Sequence, residues 1–96
     1  MREYDNDMLR MGIIHYKAGE YPAARNYFER ALMVADDHET RFLANLYLSR
    51  VLDDPQTKRH YLEDALAIDP ANSEARRELA ILDGKIKPAE IVDPDA

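Results

Sequence analysis

A chain of 96 residues, a third of them charged, has room for one modest core and none for a second. Its net charge of −6, from 13 basic and 19 acidic residues, sets it against phosphate backbones and anionic lipid surfaces, and the lack of cysteine excludes disulfides and thiolate metal sites. The opening residues MREYDNDMLRMGIIHYK lack the basic-then-apolar order of a secretion signal, and no apolar run approaches the roughly 18 residues of a membrane span, so a cytoplasmic protein without nucleic-acid or membrane partners is expected.

The first helix is expected over about 5 to 18, where Met8, Met11, Gly12 and His15 share one face. Gly19, the residue type that most easily turns left-handed, ends it. Pro22 suits the first turn of a second helix over about 22 to 35, in which Ala24, Tyr27, Phe28, Ala31 and Leu32 form an apolar stripe opposite Arg25, Asn26, Glu29 and Arg30. Gly12 and Ala24 let the two backbones approach, and Phe28 fills the next layer. Asp36 or Asp37 can cap a third helix over about 39 to 52, and Asp54 followed by Pro55 opens a fourth over about 55 to 68. Asn72 or Ser73 can cap a fifth over about 73 to 83, which Gly84 ends. That helix carries Ala75, Leu79 and Leu82 on one side and Glu74, Arg76, Arg77 and Glu78 elsewhere, the pattern of an end piece with one wet face.

Sliding the chain by 34 residues superposes Met8 on Phe42, Ile13 on Tyr47, Tyr27 on Tyr61, Phe28 on Leu62, Ala31 on Ala65, Leu32 on Leu66 and Val34 on Ile68. A second slide brings Ala75, Leu79 and Ala80 to first-helix positions of a third, half-length copy. In length, and in the order of Gly12, Gly19, Tyr21, Ala24, Tyr27, Phe28, Ala31 and Leu32, the repeat resembles the tetratricopeptide repeat (TPR), and Ala65-Leu66-Ala67-Ile68-Asp69-Pro70 resembles its usual ending. The resemblance implies an all-α fold, a right-handed superhelical stack of antiparallel helical hairpins of TPR-like α-solenoid type. Its expected organisation is a helical domain 1–84, made of repeat 5–38, repeat 39–72 and capping helix 73–84, followed by a tail 85–96. The second copy departs from the pattern. Leu46 and Lys58 replace its two small residues, and Asp53-Asp54-Pro55 replaces the turn glycine and aromatic, so its hairpin is expected to open wider; a two-residue shift that brings Ala44 to the contact is the alternative. Asp36 stands where a repeat-ending proline is usual.

Stacks of the family this chain resembles hold an extended peptide or a partner helix on a concave wall built from the first helix of each hairpin. Mapped onto this chain, the wall consists of Asn6, Leu9, Ile13, Tyr16 and Lys17, then Thr40, Leu43, Tyr47, Arg50 and Val51, then Glu74, Arg77 and Ile81. The expected partner-binding residues are Leu9, Ile13, Tyr16, Leu43, Tyr47, Arg50, Arg77 and Ile81, an apolar row with Tyr16, Tyr47, Arg50 and Arg77 as polar handles. The competing reading places some of them, Leu43 and Ile13 included, in the core. Family members that clamp the C-terminal carboxylates of chaperones use Lys and Asn on this wall; here Leu9 and Ile13 fill those positions, so that activity is not carried over.

Neither catalysis nor a cofactor or metal site is expected. His15 stands where the family places an inward aromatic; the run Asp36-Asp37-His38-Glu39 cannot converge on one ion from consecutive turn positions, and His60 with Asp64 has no evident third ligand. No nucleophile elbow, phosphate loop or catalytic carboxylate pair is visible, and Ser49 and Ser73 have no nearby base. The basic runs Lys58-Arg59-His60 and Arg76-Arg77 read as solvated helix faces. In the tail, Ile86, Ile91 and Val92 between Pro88 and Pro94 leave three readings open: a cap on the stack, an unstructured linker, or a segment that binds in trans. Two functions follow, a noncatalytic adaptor for a protein or peptide ligand, and a self-assembling module whose apolar wall or tail is used in a homo-oligomer.

Overall fold

The structure, a computed structural model, describes the backbone of residues 2–85 and the side chains of residues 7–85. These form five α-helices: α1 (Arg2–Lys17), α2 (Tyr21–Val34), α3 (His38–Val51), α4 (Pro55–Ile68) and α5 (Ser73–Leu82). The Asn6 side chain and everything expected of the tail beyond Lys85 lie outside the described residues.

Five of the helix boundaries have a local chemical cause in a turn glycine or a side-chain cap. Gly19 and Gly84 adopt φ values of 79° and 77°, and in both cases the amide of the following residue reaches back five positions, Glu20 N–H to the His15 carbonyl and Lys85 N–H to the Ala80 carbonyl, each at 2.9 Å. Those bonds satisfy carbonyls that the helix end leaves bare, and the left-handed turn that makes them is costly for any residue with a Cβ. Asp37, Asp54 and Asn72 cap α3, α4 and α5 by accepting from the amides of Thr40, Thr57 and Ala75, all at 2.9 Å. Of the cap alternatives raised by the sequence, Asp37 and Asn72 are the ones used.

Antiparallel packing of α1 on α2 and of α3 on α4 gives two hairpins, with α3 also lying against α2 and α1, and α5 against α4. The first core cluster joins Leu9, Ala24, Phe28 and Ala31 to Ala44 and Leu48 of α3; the second joins Phe42 and Leu46 to Leu62, Ala65 and Ala75. Because α3 serves both clusters, it is buried on nearly every side, including at Thr40, Asn45 and Ser49. Within the helix Asn45 Nδ2 donates to the Arg41 carbonyl and the Ser49 hydroxyl to that of Leu46, while Asn45 Oδ1 is buried without a hydrogen-bond partner.

The two hairpins close by different means. A Cβ built on Gly12 would stand 2.5 Å from the Phe28 ring, so the glycine is the recess into which that ring fits. At the corresponding place in the second hairpin, Leu46 and Leu62 are both buried, two medium side chains in place of a none-and-large pair. Lys58, at the other small-residue position, turns its ammonium to the Ser49 carbonyl at 2.9 Å. The hairpin expected to gape is thus sealed, and Ala44 faces the first repeat, so the two-residue shift is not adopted.

Gly12→Ala is expected to lower stability by about 1 to 3 kcal/mol in urea unfolding, as overpacking does, and Phe28→Leu in the same chain to recover part of the loss by copying the Leu46–Leu62 pairing. Acid should act at the start of α4. The Asp54 carboxyl is held below its ordinary range by hydrogen bonds from the Thr57 hydroxyl and amide. A depressed folded-state value means that this contribution is complete above the unfolded carboxyl range and is lost as pH falls through the folded value. Native protein should therefore lose more of its urea midpoint between neutral and acid pH than Asp54→Asn, whose amide keeps the cap without titrating.

Candidate functional site

Along the wall formed by α1, α3 and α5, one aromatic residue occupies the centre. Tyr47 stacks on the buried Phe28 ring, with centroids 5.1 Å apart and planes 16° apart, and takes the edge of Tyr16 at 5.4 Å. Tyr16 in turn lies 5.7 Å from Tyr21 of α2. The Arg50 guanidinium sits over the Tyr47 ring, 5.2 Å from its centroid, a cation held against a ring face.

Arg50 also reaches α5. Its Nε donates to Glu78 at 3.0 Å and its Nη2 to Glu74 at 2.8 Å, with a further Nη2 bond to Glu78. Burial opposes the charge, but the hydrogen bonds and opposite charges of Glu78 and Glu74 outweigh it and hold the guanidinium above its ordinary range. A second ion pair, Arg59 with Asp83, ties α4 to the end of α5. Far from being a free handle, Arg50 fastens the last helix to the middle of the stack.

The expected site residues therefore separate into classes. Leu9 is a correction: it is only 8% exposed and belongs to the first core cluster, because α1 turns it into the angle between α2 and α3. Thr40 of the mapped wall is buried as well. Ile13, Tyr16, Leu43, Tyr47 and Val51 are half-buried and pack on that cluster, Ile81 is half-buried on α5, and Lys17 and Arg77 are exposed. Two shallow hollows touch the set, one beside Leu43, Phe42 and Ile68, the other beside Arg50, Leu62 and Ile81.

The most exposed large apolar residues lie elsewhere: Met33 at 82%, Ile14 at 52%, Tyr21 at 46%, Val34 at 40% and Met11 at 37%. None of them was mapped to the wall. For Ile14 the sequence did hold a signal, since the 34-residue slide places it on Leu48, a fully buried residue of the repeat interface.

The polar clusters have structural partners. His15 stacks on Tyr27 at 5.2 Å with planes 9° apart, and its Nδ1 lies 2.6 Å from Glu20 Oε1. His60 and Asp64 form an exposed pair at 3.3 Å along α4, and Asp37 is the α3 cap. Among the described residues, no group of three or more His, Cys, Asp or Glu converges as metal ligands, and no helix is long and apolar enough to cross a membrane.

Residues 7–38, which make up α2 and most of α1, match the family model of the tetratricopeptide repeat. That third of the chain carries a tetratricopeptide repeat. No curated protein and no solved structure matches the chain. Tetratricopeptide repeats are protein–protein interaction modules, and the family is typically one of noncatalytic scaffolds. The match ends where α3 begins; the second hairpin is tied to the first by the 34-residue offset and the shared apolar stripe.

Arg50→Met should leave the first hairpin intact and free α5. Hydrogen exchange is expected to quicken at residues 73–82 and not in α2, with a stability loss of roughly 1 to 2 kcal/mol, the low side for bonds to a charged group because Glu74 remains largely in water.

Proposed function

We propose that this chain is a noncatalytic adaptor that holds an extended peptide or a partner helix on the wall of α1, α3 and α5. The observation that carries the reading is the row Ile13, Tyr16, Tyr47, Leu43 and Ile81. These apolar and aromatic side chains are half-buried and are contributed by three successive first helices, and the central one, Tyr47, is packed against Phe28 and Arg50. Rigid aromatics with one face packed and the other available favour binding, because little side-chain entropy remains to be lost. Lys17 and Arg77 are exposed at the rim and supply the charge that orients a ligand.

Residues that also support the fold are poor probes of binding. Tyr47 and Arg50 fall in that class, and Leu43 packs on both core clusters. Ile13→Glu and Tyr16→Ala are better choices. Peptides selected from a random displayed library on the native chain are expected to be apolar or amphipathic and to lose about tenfold or more in affinity on either variant, while an Ile14→Glu control on another face of α1 binds normally. A library that yields no peptide, or peptides indifferent to Ile13 and Tyr16, would sink the proposal.

A further inference from the structure

On the face of α1 turned away from Leu9 and Tyr16, Asp7, Met11 and Ile14 follow at intervals of four and three residues, with Lys17 three further on. All four are exposed, Ile14 by 52% and Met11 by 37%. Their counterparts 34 residues later have different surroundings. Leu48, which corresponds to Ile14, is fully buried in the cluster with Ala24, Phe28 and Ala31, and Asn45, which corresponds to Met11, is 4% exposed. The first helix thus presents to water the side chains that its internal copy uses to stack on a neighbour.

We propose that a second copy of the chain covers this face, pairing α1 antiparallel to α1 across a two-fold axis between Met11 and Ile14. The charges choose the occupant and the direction. Antiparallel pairing brings Met11 against the second copy's Ile14 and Asp7 towards the second copy's Lys17, and by symmetry does so twice. Parallel pairing would set Asp7 on Asp7 and Lys17 on Lys17, like on like. Asp7 already holds Arg10 of its own helix at 3.4 Å, so each end of the stripe gathers opposite charges around a short apolar centre. The surface meets the proposed peptide wall at Lys17 and is otherwise distinct from it, and the pairing is argued from Asp7, Met11, Ile14 and Lys17 without that wall.

Sedimentation of the full 96-residue chain over the micromolar range is the test. The weight-average mass should climb from 11.1 kDa toward twice that value with concentration. Ile14→Glu, at a half-exposed position where the helical circular dichroism and melting should be unchanged, is expected to raise the dissociation constant about tenfold or more. Lys17→Glu should weaken the pair, and adding Asp7→Lys to it should restore the affinity. Because the chain has no cysteine of its own, a mixture of Met11→Cys and Ile14→Cys chains should cross-link to each other in preference to themselves. A monomer at every concentration, as would follow if the chain's own tail or a foreign helix were the occupant, overturns the proposal. So does a mass increase that survives Ile14→Glu, or a preference of Ile14→Cys for its own kind.

Discussion

The recess at Gly12 is the constraint from which the rest of the stack is built. A single missing Cβ lets the Phe28 ring enter α1, and the ring stacks on Tyr47 of the next repeat. Tyr47 supports Tyr16 at its edge and Arg50 nearby, and Arg50 fixes α5 through Glu74 and Glu78. One line of contacts therefore runs from the first helix to the last. In a linear stack each unit touches only its neighbours, so order passes along the chain only where a side chain is shared between two interfaces. Phe28 and Tyr47 are such side chains.

The same contact explains why the two hairpins can look alike with different sequences. Close packing fixes the summed volume at a layer and leaves its division between partners free. Gly12 with Phe28 and Leu46 with Leu62 are two divisions of that space. A reading position by position sees Leu46 as an obstacle, because the pattern asks for a small residue there. The pair has to be read together, and the compensating change lies 16 positions further along the chain.

Much of the fold is written locally and was legible. Turn glycines, caps and apolar stripes act within four or five residues of themselves, and all five helices begin and end within a few residues of the places those signals mark. The site was less legible because its state depends on distant partners. Nothing near Arg50 in the sequence announces Glu78, 28 residues away, and without that pair the guanidinium reads as a free handle. Leu9 looks like a wall residue until α3 is placed beside α1; only then does the angle between helices close over it. Ile14 errs in the other direction. It has the residue type of a core position, and it is the absence of a described neighbour on that side, a matter of its place in the order of repeats, that leaves it in water.

These assignments divide the wall by what each residue can be asked to do. Tyr47 and Arg50 hold repeats together, so their identities are bound to the fold and they can offer a ligand only their outer surfaces. Ile81 and Arg77 have fewer such duties than Ile13 and Tyr16, which pack on the first core cluster, and a change at Arg77 alters the surface at small cost to packing. On the proposed binding role, the centre of the wall supplies a rigid apolar and aromatic platform, and the choice among ligands falls to the flanking residues of α1 and α5. Those two helices are also the first and last among the described residues. Whatever loosens α5, whether by drawing Arg50 away from Glu78, by parting Arg59 from Asp83 or by disturbing the core around Ala75, displaces Ile81 and Arg77 together, so the stability of the last helix and the reach of the proposed surface are coupled.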